Sequence, residues 1–147
     1  MRPFQFRLET LLKFRHMQEE QAQIRLAEAT ARYVAERDAL TALQSSLTGH
    51  MDNFRNQLSE PITVATLKVL RDYADKLKGD ISAQALKVEA ADHSRRECIA
   101  ALEEAAKARK LVEKLREKKL AQYQAEALLE EQKLLDELGL QAFSRGG

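Results

Sequence analysis

A single proline, Pro61, interrupts a chain that otherwise favours helices. It is the only proline beyond residue 3, and the stretches on both sides are rich in Leu, Ala, Glu, Lys, Arg and Gln. A proline ring clashes inside a helix and disfavours a helical conformation in the residue before it. The sequence therefore predicts two helices, at about 5–58 and 64–138, joined by a turn at about 59–63. Thr63 is placed to cap the second helix through its side-chain oxygen.

Apolar residues recur at steps of three and four on both sides of Pro61, which keeps one stripe on one side of each helix. A short connection makes the two helices antiparallel neighbours. We therefore predict an all-α fold, a long two-helix antiparallel coiled-coil hairpin with an extended C-terminal helix, as one coiled-coil domain over residues 1–147. The predicted register places Leu40 opposite Ile81 and Leu12 opposite Arg109. The stripe of the second helix is predicted to include Leu67, Leu70, Ala74, Leu77, Ile81, Ala85, Val88 and Ala91.

The seam between the helices weakens with distance from Pro61, because Ala and Arg replace Leu on one side of it. A buried Leu stabilises by about 1.5–3 kcal/mol, whereas ordering the backbone costs about 1–2 kcal/mol per residue. We therefore expect the Pro61 end to be firm and the end near the chain termini, including Leu12, to be soft.

The second helix is predicted to outrun the first, so residues 120–138 lack a partner within the hairpin. Because an isolated helix is marginal in water, we expect another molecule to cover their apolar side chains. Gly139 suits the left-handed residue that follows many helices, which predicts a helix end there and a flexible tail at 140–147. The apolar side chains of this uncovered part are Leu120, Tyr123, Leu128, Leu134 and Leu138.

Charge is distributed unevenly over the same part of the chain. Residues 107–119 are mainly basic, and residues 120–138 are mainly acidic. Such a pattern is most often a solvated helix face, and a binding surface is the alternative. The formal net charge of +1 gives no overall attraction to nucleic acid or anionic lipid. No apolar run is long enough to span a membrane, so we expect no nucleic-acid partner and no direct membrane insertion.

Residues for catalysis or metal binding are not grouped in this sequence. The histidines His16, His50 and His93 lie far apart, and the single cysteine, Cys98, lies on the predicted seam. Neither metal-ligand spacing nor a glycine-rich phosphate loop is present. We therefore expect a protein that is not an enzyme, that binds no cofactor and no metal, and that is a monomer when free.

The chain resembles a known family at both ends. The opening segment FQFRLETLLKFR resembles the start of the flagellar export protein family FliJ, as does the later segment EAAKARKLVEKLREKKLAQYQAEALLEEQKLLDE. The central segment PITVATLKVLRDYADKL is also similar, so the resemblance covers nearly the full chain. The matching residues include Phe4, Phe6, Leu8, Leu11, Leu12, Arg15, Arg109, Lys110, Leu115, Lys118, Tyr123, Glu126, Glu131, Gln132, Lys133, Asp136 and Glu137.

The resemblance implies a cytoplasmic component of the flagellar type III export apparatus, peripherally associated with the inner face of the membrane at the flagellar base. Members of the family are similar to the central stalk subunit, gamma, of rotary ATP synthases. Their terminal helices bind and stimulate a hexameric export ATPase, and their hairpin contacts the export gate membrane protein and export chaperones. Carried over to this chain, the ATPase surface comprises Arg109, Lys110, Lys114, Arg116, Tyr123, Leu128 and Leu134. The gate surface comprises Leu43, Leu47, Phe54, Tyr73 and Leu77.

Three other functions fit the same residues. One is a generic scaffold that associates with itself through the uncovered stripe, and another is a chaperone-like hairpin that holds apolar clients. The third is the equivalent stalk of a virulence-type secretion system, which shares the architecture. Stimulation of an export ATPase separates a stalk from the first two, and the neighbouring genes separate it from the third.

Overall fold

The structure is a computed structural model, and it describes residues 2–146. Two helices account for nearly all of them: α1 spans Glu9–Gln57 and α2 spans Val64–Gly146. No strand occurs within the described residues. The all-α helical hairpin predicted from the 3–4 periodicity is thus confirmed.

The helices break at Pro61, and Thr63 caps the new helix that begins directly after it at Val64. Thr63 Oγ1 accepts a hydrogen bond from the backbone N–H of Thr66 at 3.2 Å, and its carbonyl oxygen accepts one from Leu67 at 3.0 Å. The side-chain oxygen therefore satisfies one of the free N–H groups at the start of α2. The predicted cap is confirmed.

The first helix begins at Glu9, four residues later than the predicted start at residue 5. Residues 2–6 are not helical. The N–H of Glu9 instead bonds to the carbonyl of Phe6 at 3.1 Å, which marks a turn ahead of the helix. The predicted start is wrong because Phe4 packs against Tyr123 and Arg116 of α2 instead of extending α1.

The second helix continues to Gly146, so the predicted end at Gly139 and the predicted flexible tail over 140–146 are wrong. None of the described glycines has the positive φ that a left-handed helix cap requires. A glycine inside a helix costs about 1 kcal/mol relative to Ala. The helix-forming residues Leu140, Gln141 and Ala142 follow at once and keep Gly139 within α2. Gly147, the last residue of the predicted tail, lies outside the described residues.

The chain forms two compact units, and each contains part of both helices. Unit 1 combines Met1–Gln21 with Glu103–Gly147, and unit 2 is Ala22–Leu102. Within unit 2 the helices run antiparallel, since His50 lies at Leu70 and the earlier residue Glu36 lies at the later residue Gln84.

The buried residues of unit 2 follow the seam predicted for it, except that Leu67, at the start of α2, is 36% exposed and that one buried position differs. Ala74, Leu77 and Ala91 are buried as predicted. Ala85, predicted on the seam, is exposed, and the polar residue Gln84 is buried instead. Positions 77, 81, 84, 88 and 91 keep the alternating steps of four and three. The helical phase, and not apolar character, therefore decides which residue faces α1.

Unit 1 is better packed than expected near the chain termini. Leu12 is only 7% exposed, comparable with Leu77 at 5%. Val112 of α2 is also buried in this unit. The burial of Leu12 argues against a soft end, which stays a prediction about stability.

The register in unit 1 also differs from the predicted one. Arg109, predicted opposite Leu12, forms its hydrogen bond with Glu19, about two helical turns further along α1. A long guanidinium side chain lies at the edge of a seam more readily than within it, because only its stem is apolar. The apolar Leu12 therefore takes a buried position that does not depend on Arg109.

Candidate functional site

Arg109 is held by carboxylates on both helices of unit 1. Its Nε donates a hydrogen bond to Glu19 of α1, and its Nη1 donates one to Glu113 of α2 at 2.6 Å. The hydrogen bond that Arg109 donates to Glu19 is the main cause of a raised pKa of the Arg109 guanidinium, followed by the one that it donates to Glu113. His16 Nε2 lies 3.3 Å from the same Glu113 carboxylate. Arg109 therefore ties the two helices together.

Arg116 is likewise engaged within the protein. Its Nε donates a hydrogen bond to Glu9 at 2.9 Å, and its guanidinium carbon lies 5.6 Å from the centre of the Phe4 ring. Arg109 and Arg116 were both predicted to contact an ATPase. In the free protein their side chains instead join α2 to α1 and to the N-terminal segment.

Lys110 and Lys114 are different, because both side chains are exposed. Neither forms an ion pair within the part of the chain that the structure describes. Of the four basic residues predicted at the ATPase surface, these two remain available for an acidic group on another molecule.

The last part of α2 carries exposed apolar side chains. Leu134 is 56% exposed and Leu138 is 53% exposed. The two leucines are four residues apart and therefore lie on one side of the helix. The same side of α2, traced back along the helix, contains Ala127, Tyr123 and the buried Val112. We call Ala127, Leu134 and Leu138 the tail stripe. Further exposed apolar residues of this region are Leu128, Leu129, Leu135, Leu140 and Phe143.

Tyr123 does not belong to the uncovered part of the helix, contrary to the prediction. Its ring centre lies 5.5 Å from that of Phe4, with the two planes tilted by 56°. Its hydroxyl donates a hydrogen bond to the carbonyl oxygen of Arg2 at 2.5 Å. The N-terminal segment thus half-covers Tyr123, and sequence periodicity held no signal for this because the segment is not helical.

The residues predicted at a gate surface in unit 2 differ in accessibility. Leu77 is buried and contributes to the core, so it offers no surface to a partner. Tyr73 is exposed, whereas Leu43, Leu47 and Phe54 are half-buried. Four of the five predicted residues therefore present at least part of their side chains to solvent.

His50 joins this surface, although it was not among the residues predicted there. Its Nε2 lies 2.7 Å from the carbonyl oxygen of Leu70, and its ring centre lies 4.7 Å from that of Tyr73 in an edge-to-face arrangement. The imidazole therefore fixes Tyr73 beside the helix pair. The spacing of three residues between Leu47 and His50 was the sequence signal that places His50 on the same side of α1 as Leu47.

Groups for catalysis or metal binding are not assembled among the described residues. No cluster of three His, Cys, Asp or Glu side chains is placed to hold a metal ion in residues 2–146. Neither described helix contains a segment apolar and long enough to cross a membrane. The features suited to contact another molecule are thus the tail stripe, the two free lysines and the Tyr73 surface.

Comparison with known proteins agrees with the resemblance at the two ends of the chain. The family model described as Flagellar FliJ protein matches residues 4–147, which is nearly the entire sequence. No curated protein and no solved structure gives a significant match. The family match spans the tail stripe, the N-terminal segment and the Tyr73 surface alike. The chain therefore belongs to the flagellar FliJ protein family and is a component of the flagellar export apparatus.

Proposed function

We propose that this protein binds and stimulates a hexameric export ATPase through unit 1, as a stalk-like component without catalytic activity of its own. In this proposal it works in the cytoplasm, peripherally associated with the inner face of the membrane at the flagellar base. The observation that carries the proposal is the exposed tail stripe, which continues the side of α2 that is packed in the rest of unit 1.

The tail stripe fits a protein partner for a physical reason. Contiguous apolar side chains on the outside of a helix are costly in water and typically mark an interaction surface. Burying a leucine stabilises by about 1.5–3 kcal/mol, so covering Leu134 and Leu138 would contribute several kcal/mol to binding. The wall of a central channel in a hexamer is able to contact this side of the helix.

The charged residues of α2 in unit 1 also favour this unit as the ATPase-binding region. Lys110 and Lys114 are exposed on α2 and pair with no carboxylate within residues 2–146. Arg109 and Arg116 hold unit 1 together, so their part in binding is to keep α2 in place. The direct electrostatic contact with the ATPase is assigned to the two lysines.

Unit 2 is proposed to contact the export gate membrane protein and export chaperones. Tyr73 is exposed and braced by His50, and Leu43, Leu47 and Phe54 are half-buried beside the seam. Tyrosine suits such a role, since it presents apolar area and a polar group with few rotatable bonds. Leu77 is left out of this surface because it is buried.

ATP hydrolysis by the purified export ATPase tests the tail stripe. Leu134→Asp and Leu138→Asp, together in the full chain, are expected to abolish stimulation, because the carboxylates cannot be buried in an apolar contact. The matched control is Leu129→Asp. Leu129 lies nine residues before Leu138, or about two and a half turns, and so on the opposite side of the helix.

The outcomes separate the proposal from its alternatives. Equal stimulation by the intact protein and by the double variant would show that the tail stripe is not the ATPase surface. If the intact protein instead forms dimers that the double variant cannot form, a self-associating scaffold becomes the better explanation. Sedimentation of both proteins at the assay concentration measures this directly.

A second experiment tests the lysines. Lys110→Glu with Lys114→Glu is expected to weaken ATPase binding more at low salt than at moderate salt, because exposed charges are screened over about 8–10 Å. Lys78→Glu with Lys87→Glu, in exposed positions of unit 2, changes the net charge equally and is the control. Equal effects of both pairs of substitutions would show that net charge alone, and not the position of the two lysines, explains the weaker binding.

A further inference from the structure

The N-terminal segment, residues 2–8, lies against α2 instead of lengthening α1, and we call it the clasp. Its Phe4 ring lies between the Tyr123 ring, at 5.5 Å, and the Arg116 guanidinium, at 5.6 Å. The Tyr123 hydroxyl also donates a hydrogen bond to the carbonyl oxygen of Arg2. Two side chains of α2 thus hold one aromatic ring and one carbonyl of the clasp.

The clasp covers the surface that directly precedes the tail stripe. Tyr123, Ala127, Leu134 and Leu138 follow one another at steps of four, seven and four residues, which places them on one side of α2. Ala127 is half-buried, whereas the leucines are exposed. Without the clasp, the exposed apolar positions on this side of α2 would begin at Tyr123, with Glu130 and Glu131 between Ala127 and Leu134.

Apart from Arg116, which contacts both Phe4 and Glu9, the contacts of the clasp are separate from those that hold the helices of unit 1 together. Leu12 and Val112 are buried, and Arg109 joins Glu19 to Glu113. The hydrogen bond from Tyr123 to Arg2 is exposed to solvent, and Phe4 is only half-buried. Exposed contacts of this kind must offset the conformational entropy lost by a short non-helical segment. The clasp is therefore able to open while α1 and α2 stay paired.

We propose that the clasp is a gate on the partner surface of α2: it closes over Tyr123 in the free protein and is displaced when the tail stripe binds the export ATPase. The inference rests on the proposed function for the identity of the partner. Displacement extends the bound surface by Tyr123, so that Phe4 and the partner compete for the same side chain. The apparent affinity of the protein is then the affinity of its open form multiplied by the fraction of time that the clasp is open.

Two substitutions distinguish this gate from a merely structural contact. Phe4→Ala and Tyr123→Ala both remove the ring pair, but only Tyr123→Ala removes a residue of the partner surface. With a clasp that is open about one fifth of the time, Phe4→Ala strengthens ATPase binding about fivefold. Tyr123→Ala loses about tenfold from the partner contact, as loss of an aromatic contact residue does in protein interfaces, and gains about fivefold from the opened clasp, so that binding weakens about twofold. A structural role predicts weaker binding for both.

The closed state is measured in the free protein by fluorescence. The chain has no tryptophan, so Phe4→Trp introduces a single tryptophan at the clasp, which is excited selectively over the tyrosines. Acrylamide quenching of this variant is expected to be low, and to rise when Tyr123→Ala is added. Phe143→Trp is the reference for full access, because Phe143 is 81% exposed. Equal quenching with and without Tyr123→Ala would overturn the clasp, and circular dichroism checks that each variant keeps its helices.

Binding of the full-length proteins to the purified ATPase completes the test. Tighter binding by Phe4→Ala together with weaker binding by Tyr123→Ala supports the gate. If the intact protein binds and the two variants change its affinity in the same direction, the gate is overturned while the proposed function stands. If neither the intact protein nor Phe4→Ala binds, the proposed function is wrong and the gate falls with it.

Discussion

Gln84 of α2 donates hydrogen bonds from its Nε2 to the carbonyl oxygen of Glu36, at 2.9 Å, and to the carboxylate of the same residue, at 2.5 Å. Gln84 is the buried polar residue of the seam, with apolar positions before and after it along α2. A polar residue in a coiled-coil seam stabilises one register at a cost in stability, because other registers leave its amide without a partner. The pair thus specifies how α1 and α2 align within unit 2.

Gln84→Ala is expected to lower the free energy of unfolding by about 1 kcal/mol, the usual net value of a hydrogen bond. Gln84→Leu is expected to be neutral or stabilising, because an apolar side chain suits the seam. Urea unfolding followed by circular dichroism measures both. A similar loss in the two variants would show that the amide stabilises the helix pair and does not only select its register.

Leu12→Ala is expected to cost about 2–5 kcal/mol of unfolding free energy, as substitutions that leave a cavity in a core do. Leu12 is buried in unit 1, whereas Leu128 is largely exposed. Leu128→Ala is therefore the control and should stay within about 0.5 kcal/mol of the intact protein. An equally small effect at Leu12 would restore the expectation of a soft end.

Arg109→Glu is expected to lower the Tm, whereas Lys110→Glu should leave it almost unchanged. The reversed side chain at 109 would meet the carboxylates of Glu19 and Glu113, which now bind the guanidinium. The neighbouring Lys110 is exposed. Thermal unfolding at low and moderate salt compares the two, and equal Tm values would show that the Arg109 contacts contribute nothing to stability.

Asp92 should contribute to the acid sensitivity of unit 2. The hydrogen bond from Arg95 is the main cause of the lowered pKa of the Asp92 carboxyl, and the charge of Arg96 adds to it. Because the folded pKa is the lower one, the contribution is complete above the ordinary aspartate pKa of about 3.9. It is lost as the pH falls through the folded value. The Arg95 guanidinium also stacks on Tyr33 at 4.8 Å, so the ion pair links α2 to α1.

The measurement is Tm against pH for the intact protein and Asp92→Asn, from about pH 5 to pH 2. The difference between the two curves should shrink as the pH falls, because protonation removes the charge that the variant already lacks. A difference that stays constant over this range would show that the carboxylate charge plays no part.

The amino-acid sequence by itself determined that the chain forms two helices and where the break between them lies. Long stretches of helix formers with apolar residues at steps of three and four form helices with one apolar side. Pro61 ends the first helix and Thr63 caps the second. The stripe at Leu134 and Leu138 was also readable, since a helix that outruns its partner leaves its apolar side exposed. These features depend on residues that are neighbours in the chain.

Only the tertiary structure decided which charged and aromatic residues are available to a partner. Arg109 and Lys110 are adjacent in sequence, but one bonds to Glu19 and the other is exposed. Phe4 and Tyr123 lie at opposite ends of the chain, and their contact depends on a non-helical segment that periodicity does not describe. The physical reason is that helical phase sets which side of α2 a residue occupies. The partner that it meets there depends on the register and on contacts between distant residues.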